Sequence, residues 1–148
     1  MTKIVTLVKE NRITTSNVPY DVEPFLEKAI QYKRTAQYEE SLQIYLDVFS
    51  SLGVVHTGVL NGLFKVVAAA GFCKETRELL EIGDKAIKAS NTIFNPFGMP
   101  NNFEEHLQRL EQAIRSRDTL ESYLMSIAGN IHYSLPRTYS EILSDYLM

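Results

Sequence analysis

Few side chains in this sequence could do chemistry: one thiol, three imidazoles and two adjacent carboxylate pairs. Cys73 would act as a nucleophile only as a thiolate, with a base and a positive environment near it, and Lys74 and Arg77 stand close in the sequence. A zinc or di-iron site needs His, Cys or carboxylates converging, often one helical turn apart. His56, His106 and His132 are scattered, and neither Glu-x-x-His nor His-x-x-x-His occurs. Glu39-Glu40 and Glu104-Glu105 are adjacent in the chain, so on a helix they point about 100° apart and do not face each other. Phosphate-cradling patterns, G-x-x-x-x-G-K-[ST] and G-x-G-x-x-G, are missing. These residues predict no catalytic site, no metal and no cofactor. The histidines read as surface or capping residues and the carboxylate pairs as solvated faces.

The elements that must position any site are helical. The chain has 148 residues, 45% of them hydrophobic and 22% charged, with 7 Gly and 5 Pro, which suits one folded domain over residues 1–148. The formal charge of -3 creates no general field favouring nucleic acid or an anionic membrane. The longest strictly apolar run, Val66 to Phe72, is far below the roughly 18 to 20 residues of a membrane span. Five largely apolar residues, Ile4 to Val8, are too few for a secretory segment. With a single cysteine, these features lead to the expectation of a cytoplasmic protein that binds neither nucleic acid nor membrane.

Residues 1–20 are rich in β-branched side chains, and Glu10-Asn11 between two such runs predicts a short hairpin or irregular segment. The rival is a short helix using Ile4, Leu7 and Val8. Helical periodicity begins at Pro24 and gives three pairs over residues 22–130. The first joins Pro24–Lys33 to Tyr38–Phe49 and closes at Gly53; the second joins Thr57–Ala70 to Lys74–Ala89 across Gly71. The third starts at Phe103, after a connector over residues 91–102, and ends near Gly129-Asn130. Thr138 and Glu141 form a capping box for a last amphipathic helix over residues 138–148.

Offset by 35 residues, the chain aligns with itself: Phe25 with Leu60, Tyr32 with Val67, Ala36 with Gly71, Tyr38 with Cys73, Ser41 with Thr76, Tyr45 with Leu80. Cys73 thus replaces a packed tyrosine and reads as a small core residue. A further shift of about 12 residues, absorbed by the connector, sets Leu107, Leu110, Ile114, Leu120 and Ile127 on equivalent positions.

Tyr38-Glu39-Glu40-Ser41-Leu42-Gln43-Ile44-Tyr45 resembles the second helix of a tetratricopeptide repeat, with a small residue four positions before an aromatic, and Tyr32 and Ala36 fall where that family prefers an aromatic and a small residue. Lys28-Ala29 stands where the family carries Leu-Gly. The resemblance covers residues 22–89, and more weakly 102–130. It implies a mainly α array of about three helical hairpins, closed by the C-terminal helix, acting as a non-catalytic adaptor that binds a protein or peptide segment. By the same resemblance the groove is lined by Lys33, Arg34, Asn61, Lys65, Gln108 and Arg115, a set suited to an acidic segment or a terminal carboxylate. The alternative is a structural or assembly subunit: Leu147-Met148 ends the C-terminal helix in apolar residues, which fits self-association into a homo-oligomer.

Overall fold

In a computed structural model that describes residues 2–15, 19–90 and 103–115, the chain is mainly helical. Its elements are α1 (Thr2–Glu10), β1 (Ile13–Thr14), a 3-10 turn (Tyr20–Val22), α2 (Glu23–Arg34), α3 (Tyr38–Leu52), β2 (Val55–His56), α4 (Thr57–Ala69), α5 (Cys73–Ser90) and α6 (Phe103–Arg115). The connector over 91–102, the second helix of the third pair and the helix expected over 138–148 lie outside the described residues, as do His132, Leu120 and Ile127.

The two hairpins close on the same turn. At the end of α2 the amides of Thr35, Ala36 and Gln37 donate to the carbonyls of Gln31, Lys33 and Tyr32 at 3.2, 3.1 and 2.8 Å. At the end of α4 the amides of Ala70, Gly71 and Phe72 donate to Val66, Ala68 and Val67 at 3.0, 2.9 and 3.2 Å. Ala36 and Gly71 hold left-handed φ values of 61° and 85°. This is the Schellman pattern, which gives carbonyls at a helix end their partners and reverses the chain. The 35-residue repeat is therefore a repeat of backbone hydrogen bonds. Gly53, at φ 70°, ends α3 in the left-handed region.

α4 is the centre. Nine of its 13 residues are buried, so it is apolar nearly all round, as a core helix must be. α3 packs on both α2 and α4, α2 reaches α4 directly, α5 pairs with α4, and α6 lies on α5. Ser41, fully buried in α3, donates from its Oγ to the Ala29 carbonyl of α2 at 2.7 Å. Between α5 and α6 the backbones come close because Gly83 has no side chain: a Cβ there would stand 2.6 Å from the Phe103 ring. That ring in turn meets Phe64 of α4 edge-on at 5.9 Å.

The hairpin expected in residues 1–20 is corrected by the structure: the first run forms helix α1. Ile4, Val5 and Val8 share one face, and burying it against α5 and α3 outweighs their weak helix propensity. Lys9 fixes α1 to α5 through Glu78 at 2.9 Å. The second run does become extended, but its partner is distant: β1 pairs in parallel with β2, Ile13 opposite Val55 and Thr14 opposite His56.

Candidate functional site

The 35-residue offset also sets Leu26 and Ile30 of α2 on Asn61 and Lys65 of α4, so the two first helices of the hairpins turn equivalent faces to one side. Between them lies a groove of about 360 Å³. Leu26, Ile30, Lys33 and Arg34 line it from α2, and Gly58, Val59, Asn61, Gly62, Lys65 and Val66 from α4, with Tyr45 of α3 forming part of the floor. Among the described residues that line it there is no aspartate or glutamate.

Each functional side chain has a local reason for its place. Lys33 and Arg34 occupy the last turn of α2, where cations complement the negative end of the helix dipole. Tyr45 reaches the groove because Gly62 leaves space for it; a Cβ at Gly62 would lie 2.5 Å from the tyrosine hydroxyl. Burial pushes the Tyr45 hydroxyl up to about 12. Lys33 is 9% exposed. Its amine is pushed down to about 8, first by burial, then by the positive charge of Lys65 and of Arg34. The groove is thus a positively charged concavity with an apolar wall on either side.

Four of the six residues expected in the groove are gathered there: Lys33, Arg34, Asn61 and Lys65. Gln108 and Arg115 are not. Both are exposed on α6, and neither lines this groove. The reason is the rotation of α6, which buries Phe103, Leu110 and Ala113 and turns Gln108 outward. His106, two residues away and on the opposite side, packs its ring 5.4 Å from that of Phe64. Its imidazole is held below the ordinary range by burial and by the Lys65 charge. Leu26, Ile30 and Tyr45 are lining residues that the sequence reading missed. The offset pairing of Leu26 with Asn61 and of Ile30 with Lys65 was the signal for the first two.

The remaining chemistry-bearing residues lie elsewhere. Cys73 is fully buried, and burial followed by the Glu75 charge pushes its thiol up to about 12, far from a reactive thiolate. His56 is buried at the start of α4. Glu39 and Glu40 are exposed; Glu105 pairs with Arg109 at 2.6 Å and Glu104 approaches Lys88 at 3.8 Å. Among the described residues no three His, Cys, Asp or Glu gather in a way that could hold a metal ion, and no helix is long and apolar enough to cross a membrane. No family model, curated protein or solved structure matches the chain.

Proposed function

We propose that the chain is a non-catalytic binding module that holds an anionic protein or peptide segment in the groove between α2 and α4. The observation that carries this reading is the meeting of Lys33, Arg34, Asn61 and Lys65 in one concavity whose described lining has no carboxylate. Ammonium, guanidinium and amide donors in a partly desolvated groove favour an anionic acceptor through charge-assisted hydrogen bonds. The repeated turn and the repeated groove face support an array of the tetratricopeptide kind, and the groove residues are those the resemblance selects on its first two hairpins. Cytoplasmic location is part of the same proposal.

The test is fluorescence anisotropy with a labelled pool of acidic peptides carrying free C-termini, titrated with wild type and with an Asn61→Ala, Lys65→Glu double variant of unchanged circular dichroism. Binding by wild type that is lost in the variant supports the groove. Equal binding by both removes it.

A second reading is self-association through α2 and the turn before it, where Tyr20, Phe25 and Ile30 are 89%, 55% and 37% exposed. Sedimentation across a hundredfold range of concentration, with Phe25→Glu beside wild type, separates the two: a mass that rises for wild type alone supports the assembly subunit.

A further inference from the structure

The proposed binding reading leaves open which anion the groove takes, and the arrangement of its donors bears on that. Three cationic side chains from two helices, Lys33 and Arg34 on α2 and Lys65 on α4, border the same small concavity, with the Asn61 amide one turn before Lys65. A carboxylate brings one charge and two oxygens in a plane. It can satisfy an arginine fork or two ammonium groups, which leaves one of the three bordering cations without an oxygen of its own. A phosphate monoester brings nearly two charges at neutral pH and three terminal oxygens in a tetrahedral array, so each of the three cations can donate to a different oxygen. The groove fits the second ligand better in charge and matches it in the number of cationic donors. Its walls matter too: Leu26 and Ile30 on one side and Val59 and Val66 on the other supply apolar contacts for the residues flanking the phosphate.

Resting on the binding reading above, we infer that the groove recognises a phosphorylated side chain on a protein segment, with Lys33, Arg34 and Lys65 around the phosphate and Asn61 as a fourth donor. Binding is then linked to protons. The charges that act on the Lys33 amine include Lys65 on α4 and Arg34 on its own helix, and Tyr45 of α3 lines the same groove. The two cations and burial hold the amine at about 8. A bound dianion offsets their charge and draws a proton onto Lys33. At pH 8 complex formation takes up about half a proton from buffer, an uptake absent from Lys33→Met.

The experiment uses the full chain and two labelled probes of one degenerate design, a pool with a fixed phosphoserine and the same pool with serine and a free C-terminus, with a third arm in which inorganic phosphate competes against the phosphoserine pool. Anisotropy gives affinities, and calorimetry at pH 8 in two buffers of different ionisation heat gives proton uptake. The expected result is binding of the phosphoserine pool that is stronger than that of the serine pool and weakened about tenfold or more by Lys65→Gln or Arg34→Gln, with circular dichroism unchanged. Equal binding of phosphoserine and serine pools overturns the phosphate inference and leaves the binding module standing. Failure of all peptide pools overturns both. Inorganic phosphate that competes at concentrations equal to the peptide pool overturns recognition of a protein segment. Proton uptake unchanged in Lys33→Met removes Lys33 from the site.

Discussion

Ala36 and Gly71, 35 residues apart, hold one and the same left-handed turn, and the amides around them donate to carbonyls at identical offsets. Only one of the two has the residue that turn prefers. An alanine at φ 61° crowds its Cβ against the following carbonyl, which costs on the order of 1 kcal/mol, and a glycine avoids this. Ala36→Gly should therefore leave stability unchanged or raise it by up to about 1 kcal/mol, the gain being offset by the greater freedom of glycine in the unfolded chain. Gly71→Ala should lower it by about 1–2 kcal/mol. Urea denaturation of both variants checks the pair; a destabilised Ala36→Gly together with an unaffected Gly71→Ala would sink the account.

Gly83→Ala should destabilise by about 1–3 kcal/mol, because the new methyl would enter the Phe103 ring at 2.6 Å and push α6 from α5. The companion Gly83→Ala, Phe103→Leu variant should recover part of the loss. Thermal melts of the two, read against Phe103→Leu alone, give the coupling.

Removing the buried hydroxyl of Ser41 takes away the 2.7 Å bond to the Ala29 carbonyl that ties α3 to α2. Ser41→Ala should cost about 1–3 kcal/mol, since the carbonyl loses its side-chain donor inside the core. Thr76, the repeat counterpart of Ser41, donates instead to Phe72 within its own first turn at 2.7 Å. Thr76→Val keeps the shape and should cost less than Ser41→Ala. The reverse order in chemical denaturation would show that the interhelical bond does not hold the first hairpin.

Lys33→Met should stabilise the chain at pH 7 by about 1–2 kcal/mol, by removing an ammonium whose charged form burial disfavours. The pH dependence has a definite sign. Below pH 8 the native state carries the whole penalty; from about 8 to the ordinary value of 10.5 the native amine gives up its proton before the unfolded one does, and wild type gains stability. Cys73 and Tyr45 act the other way. Held near 12 against 9.0 and 10.0, they keep protons the unfolded chain has lost, and stability falls above pH 9. Cys73 and Tyr45 are common to wild type and Lys33→Met, so their effects cancel in the difference: the advantage of Lys33→Met should shrink from pH 8 to 9, and a constant advantage would refute the assignment.

How much of this was legible in the sequence depends on whether the signal was local. The hairpins were, since Ala36 and Gly71 align with their flanking tyrosine and valine. So were Lys33, Arg34, Asn61 and Lys65, which lie on helices fixed by that repeat. The first run, Ile4 to Val8, was not, because β-branched propensity and helical spacing point in opposite directions there and burial against α5 decides between them. The partner of Ile13 lies in Val55, beyond the reach of any local pattern. Gln108 was misplaced for a related reason: with the third hairpin's register unset, nothing in the sequence separated it from His106, and the packing of Phe103 made the choice.

The parallel pairing of β1 with β2 bears on the order in which the chain can assemble. During synthesis α1 emerges before the surfaces that cover Ile4, Val5 and Val8, which belong to α3 and α5, and the partner of Ile13 follows α3. α1 is therefore made well before it can be buried, and its apolar face stays open to chaperones or to neighbouring nascent chains until α5 has left the ribosome.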